Sequence, residues 1–213
     1  VTEAQEIVFI NTDFSCLATL QAGFNFAPIW KPPFITRLVA EDRCHLNGLA
    51  MQDDQPMYVT ACSATDEAAG WRDHRRNGGL VMHIPSNEII ATGLSMPHSP
   101  RWYQGKLWIL NSGTGELGYL DGGQFVPITF CPGFVRGLAF WKNFALIGLS
   151  QLRAKAFTGL SLETRLAAEN MPVQCGLAVV DLNTGNLLHA LHINGVVEEL
   201  FDVVVLPDVR QPR

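Results

Sequence analysis

At 213 residues the chain is long enough to bury a substantial core within one domain. Hydrophobic residues make up 47% and charged residues 16%, which excludes a disordered chain. The net charge is −5, and the one basic cluster, Arg72, Arg75 and Arg76, sits among Asp66, Glu67 and Asp73, which excludes a nucleic-acid binder.

No apolar run reaches the roughly 20 residues of a membrane span. The polar start, residues 1–5, lacks the basic stretch and apolar block of a signal peptide. Cys16, Cys44, Cys62, Cys131 and Cys175 are odd in number, scattered and without a Cys-x-x-Cys pair. They read as buried thiols, and the cytoplasm is the expected compartment.

Taken in chain order, short runs of β-branched and aromatic residues between Gly, Pro, Asn and Asp predict strands. A first segment, about 6–40, holds three, at 7–10, 16–20 and 26–30. A second, about 45–93, holds four, at 46–51, 57–61, 80–84 and 89–92. The third, about 98–130, has strands at 101–103, 107–110, 117–120 and 125–130, with Asp121-Gly122-Gly123 as a hairpin. The fourth, about 135–193, has strands at 137–141, 144–149, 175–182 and 187–193, the last two joined by Asn183-Thr184-Gly185-Asn186. A closing strand is expected at 200–206, within 198–206, completing one blade with the three strands of the first segment.

A short phrase recurs at the head of these units. It reads His45-Leu46-Asn47-Gly48-Leu49-Ala50-Met51, then Pro97-His98-Ser99-Pro100-Arg101-Trp102, then Phe134-Val135-Arg136-Gly137-Leu138-Ala139-Phe140, and more faintly Val197-Glu198-Glu199-Leu200-Phe201-Asp202. The anchors Gly48, Pro100, Gly137 and Leu200 are spaced by 52, 37 and 63 residues. Insertions at 63–78 and 151–174 account for the two long spacings, and without them the period is 36 to 39. Such a period predicts an all-β, β-propeller-like array of four-stranded antiparallel blades in a single domain, 1–213. It is either a four-bladed ring or the C-terminal part of a larger propeller. If the first blade lacks a strand, an edge near residues 7–10 is open to pairing with another chain.

Both insertions fall between the second and third strands of a blade, so they open on the face where the repeated phrase begins. Function collects on such loops. The expected ligand-binding residues at this mouth are Asn47, Ser99, Arg101, Asn111 and Arg136, with Trp71 and Arg72 from the first insertion. Arg136 calls for an anionic partner: Glu198, Glu199, or a ligand carboxylate or phosphate. His98, fixed between two prolines, is a candidate general base, with Glu198 and Glu199 as its acidic counterparts. Asn47 and Ser99 also read as turn residues satisfying backbone groups at strand starts, and His98 and His45 as structural hydrogen-bonding residues. Asn111-Ser112-Gly113-Thr114-Gly115-Glu116 lacks the Lys-Ser/Thr of a phosphate loop and reads as a turn between strands. Residues 161–169 read as a short helix with Ser161 as N-cap.

The chain resembles a bacterial family of conserved hypothetical proteins. The resemblance rests on Phe9-Ile10-Asn11-Thr12, Trp30-Lys31-Pro32-Pro33-Phe34-Ile35, Asp42-Arg43-Cys44-His45-Leu46-Asn47-Gly48, Met96-Pro97-His98-Ser99-Pro100-Arg101-Trp102, Asn111-Ser112-Gly113-Thr114-Gly115, Arg136-Gly137-Leu138 and Gly148-Leu149-Ser150-Gln151. It implies no established activity, and it implies a further inner strand before Ile7. A weaker similarity is to the gluconolactonase and senescence-marker-protein propellers, which hold a divalent cation at the channel mouth. It implies Asn47 as a metal ligand, whereas Ser99 and the cationic Arg136 stand at the equivalent positions. The residues support a binding module for a small anionic ligand or a partner segment. A gluconolactonase-like metal-dependent hydrolase and a structural interaction domain are the alternatives.

Overall fold

A computed structural model describes residues 2, 6–151 and 159–209. The described residues form four antiparallel sheets. The first has three strands, β1 (Val8–Asn11), β2 (Cys16–Thr19) and β3 (Ala27–Trp30). The second runs β4 (Leu46–Gln52), β5 (Gln55–Ala61), β6 (Gly79–His83) and β7 (Glu88–Leu94). The third is β8 (Pro97–Tyr103), β9 (Lys106–Asn111), β10 (Glu116–Asp121) and β11 (Gln124–Phe130). The fourth is β12 (Phe134–Trp141), β13 (Phe144–Ser150), β14 (Gly176–Asp181) and β15 (Leu187–His192). Each sheet pairs its strands in sequence order, as propeller blades do. No helix among the described residues is long and apolar enough to cross a membrane.

Local chemistry explains the meanders. Asp53-Asp54, Gln104-Gly105 and Gly122-Gly123 all hold positive φ, the two-residue hairpin geometry that matches strand twist. Side chains alternate between the two faces, as at Leu46, Gly48 and Ala50 in β4 and Gly176, Ala178 and Val180 in β14, all buried. Those faces pack sheet on sheet. Leu17 and Ile35 meet Leu46, Val59 and Met82; Ala50 and Val81 meet Leu107 and Ile109; Leu110 and Leu117 meet Val135, Ile147 and Val180. All five cysteines are free and buried within this core.

The repeated phrase has a backbone meaning. A register shift interrupts each inner strand at the same point: between Leu46 and Gly48 in β4, between His98 and Arg101 in β8, and between Val135 and Leu138 in β12. Asn47, Ser99 and Arg136 are therefore bulge residues, and bulges re-aim side chains. The inner strands also approach closely. A Cβ on Gly48 would collide with Pro100 Cδ. The Ser99 hydroxyl accepts the Gly137 N–H at 2.9 Å.

The tail departs from the expected closing strand. Residues 200–206 form no strand, and among the described residues no strand pairs with the outer side of β1. The tail lies instead across the inner end of the fourth sheet. Gln151 N–H donates to the Glu198 carbonyl at 2.8 Å, Leu200 N–H donates to Ser150 Oγ at 3.0 Å, and the Asp202 backbone lies against Gly137. Hydrogen bonds to a serine side chain and to the Asp202 carboxylate take the place of a strand ladder there. A cavity of about 720 Å³ separates Val8, Phe9 and Ile10 from Phe201 and Asp202.

The described parts of both insertions pack over the mouth. Helix α1 (Ser161–Ala168) buries Leu162 and Leu166 in one cluster with Trp71, Met96 and Phe134. Its N-cap is Leu160, not the expected Ser161, whose hydroxyl donates to the Gly113 carbonyl. The Glu163 carboxylate accepts the Gly159 N–H at 2.8 Å in place of a capping side chain.

The first insertion is anchored by Arg43, whose guanidinium is buried and bonded to Glu41 and Asp66 at 2.7 Å each. Asp66 also accepts from the Thr36 hydroxyl and N–H. These bonds, Thr36 first and then Arg43, hold the Asp66 carboxyl down at about 2. A depressed carboxyl stabilises the fold above its unfolded value, and the gain is lost as pH falls from about 4 towards 2. Asp66→Asn is expected to lower the melting temperature at pH 7 and to flatten its decline below pH 4, read by melts across that range.

Candidate functional site

A recess of about 290 Å³ opens at the mouth, lined by Asp42, His45, Trp71, Arg72, Met96, His98, Phe134, Arg136, Ser150, Gln151 and Glu199. It adjoins the larger cavity, and His45, His98 and Arg136 line both.

One wall is a network around Asp42. Its carboxylate accepts Trp71 Nε1–H at 2.9 Å and lies 2.9 Å from His45 Nδ1. A carboxylate at Nδ1 fixes the His45 proton there and directs Nε2 away from Asp42. The His45 ring stacks on Trp71 at 4.1 Å, and the Arg72 guanidinium lies 4.6 Å from the Trp71 ring. Each member holds the next in place.

The floor is His98, buried edge-on to Phe134, with its ring 6.4 Å from that of His45. Its Nδ1 lies 2.9 Å from the Met96 carbonyl, which can only accept, so Nδ1 carries the proton. Ser112 Oγ, at 3.2 Å, gives its own hydrogen to the Val135 carbonyl at 2.6 Å and also accepts from Nδ1. Nε2 is therefore a bare lone pair. It has no partner among the described residues, yet it is not sealed away, because the one such orphan there is Ser15 Oγ. Burial first, then the charges of Arg136 and His45, push the imidazole down to about 3. It stays neutral throughout the physiological range, so it can accept a hydrogen bond but is a poor proton carrier.

The expected residues divide between two places. Trp71, Arg72, His98, Arg136 and Glu199 line the recess. The Arg136 guanidinium also lies over the Phe201 ring at 4.4 Å. Asn47, Ser99 and Arg101 line the larger cavity instead. Asn47 Oδ1 accepts from Thr60 and its Nδ2 donates to Cys62 Sγ; Arg101 donates to Asp202 at 3.2 Å. Asn111 lines neither: it is buried, its Oδ1 accepting Ser95 N–H at 2.7 Å beneath the Ser95–Met96 turn. Glu198 contributes its carbonyl to Gln151 and is exposed. Among the described residues no three His, Cys, Asp or Glu side chains come together in a way that could hold a metal ion. Cys62, raised by burial and by Asp42, is a thiol and no nucleophile.

Sequence reasoning missed Asp42. Its signal was the Asp-x-x-His spacing to His45, which becomes a contact because both residues adopt left-handed backbones, φ 44° and 50°. Met96 and Ser99 share that conformation, at 48° and 51°. Such residues cluster where function imposes strain.

The family model for a domain of unknown function, DUF4915, matches residues 1–213. The chain belongs to the DUF4915 family. No curated protein matches it. Among solved structures it is similar to a protein of unknown function from Bacteroides caccae, at 14% identity and a TM-score of 0.53, covering 99% of this chain. The chain spans 65% of that protein's length. At this identity the likeness carries the fold alone.

Proposed function

We propose that the chain binds a small anionic ligand in the mouth recess. The observation that carries this is the convergence of Arg72, Arg136 and the Asp42-oriented His45 on one recess of about 290 Å³, floored by a neutral His98. That volume corresponds to roughly ten waters at about 30 Å³ each, the size of a small organic acid. Trp71, Met96 and Phe134 supply the apolar wall, and the arginines meet the anion. Asp42 and Glu199 at the same recess favour a ligand that also carries a hydrogen-bond donor.

The test is calorimetric titration with a panel of small carboxylates and phosphates. Arg136→Ala and Arg72→Ala are each expected to weaken binding by about ten- to a hundredfold, the scale of a charge-assisted hydrogen bond. Unchanged affinity in both, in variants that melt like the parent, rules the reading out.

A second reading, a lactonase-like hydrolase, is favoured by the Asp42–His45 pair. In it, the proton-transfer role first read for His98 moves to His45 Nε2, with Asp42 steadying the imidazolium. It requires turnover of small lactones that collapses in Asp42→Asn.

A further inference from the structure

We propose that His98 makes the recess selective for anions bearing a hydrogen-bond donor, as in a hydroxy acid, over the plain carboxylic acid of the same skeleton. This rests on the anion-binding reading above and narrows it to a chemical class.

Geometry carries the argument. The Met96 carbonyl and Ser112 Oγ together claim the Nδ1 proton, so His98 presents a lone pair at Nε2 in the tautomer the fold imposes. Reversing that tautomer would set two lone pairs, Nδ1 and the Met96 oxygen, against each other at 2.9 Å. An anion without a hydrogen to give would meet this lone pair with one of its own. A ligand hydroxyl satisfies it. A polar site built for a donor rejects the analogue lacking one far more strongly than an apolar site rejects an extra methylene, because its buried acceptor is left unpaired. Arg136 adds positive potential at the ring, holding it neutral while drawing the ligand's anionic end.

The probes are matched pairs, lactate against propionate and malate against succinate, titrated into the native chain by calorimetry at pH 7. The expected result is binding of the hydroxylated member at least tenfold tighter in one or both pairs. In His98→Phe that ratio falls to near one while some affinity for the anion persists. Equal binding of both members to the native chain overturns this inference and leaves the anion site standing. Binding of no member at tens of millimolar overturns both. The ratio on the native chain needs no variant, so a His98→Phe that fails to fold does not blunt the test. Nitrogen NMR of the native chain gives an independent readout, with Nε2 of His98 expected to be unprotonated from pH 5 to 8; a protonated Nε2 there also overturns the inference.

Discussion

Gly137→Ala is expected to destabilise the chain by about 3 kcal/mol and to release the tail. Gly137 has φ of +83°, a conformation that costs an L-residue about 1–2 kcal/mol. Its added Cβ would stand 2.7 Å from Asp202 Cα and 2.8 Å from Val203 N. Both are backbone atoms, so the conflict adds about 1–3 kcal/mol of overpacking. Gly93→Ala is the control: φ is +80°, yet nothing lies within 4 Å of its Cβ, so only the backbone cost applies. Denaturant unfolding of the two variants separates the contact from the conformation. Displacing Asp202 also removes its pairing with Arg101 and shifts Phe201 from Arg136. Faster proteolysis at 198–206 in Gly137→Ala, and not in Gly93→Ala, is therefore expected. Equal stability of the two would show that the tail does not depend on this seat.

Stability is expected to fall as the pH drops from about 6.5, with His98 as one source. The imidazole is held near 3 in the fold against about 6.5 in the unfolded chain, so between those values the unfolded state binds the extra proton. Stability from this group is complete above 6.5 and is lost on acidification, at a limiting slope of about 1.4 kcal/mol per pH unit. His98→Phe is expected to flatten that slope by about one proton, read as unfolding free energy at pH 7, 6 and 5. Identical slopes would mean that His98 titrates normally and that the recess floor is wetter than its burial indicates.

Much of the architecture is legible in the sequence because blades are built from local pairings. Asp121-Gly122-Gly123 and Asn183-Thr184-Gly185-Asn186 mark hairpins that the structure forms, and the 36–39 residue period follows from units of four short strands. The start of β8 was harder to see. Its strand was expected from Arg101, after two prolines, but begins at Pro97. The innermost strand of a blade is an edge, and Pro100 lies within its bulge, where no ladder N–H is needed. The tail misled in the opposite sense. Phe201 to Leu206 has strand composition, but two glycines on the fourth sheet, Gly137 and Gly148, leave a seat for it there. At the site, the repeated phrase pointed to His98 and Arg136 because the bulge recurs with it. Asp42 obeys no period; its Asp-x-x-His spacing becomes a contact only through two left-handed residues, a backbone that the repeat does not encode.

Those left-handed residues have a consequence for how the mouth can change over time. Asp42, His45, Met96 and Ser99 each hold a conformation that glycine would adopt without penalty, together a burden of several kcal/mol at roughly 1–2 each. Drift towards glycine there relieves the scaffold while erasing the carboxylate, the imidazole or the hydroxyl. Selection for a sturdier protein and selection for an intact mouth thus pull these four positions in opposite directions, so a laboratory lineage evolved for heat resistance alone would reveal the site by dismantling it.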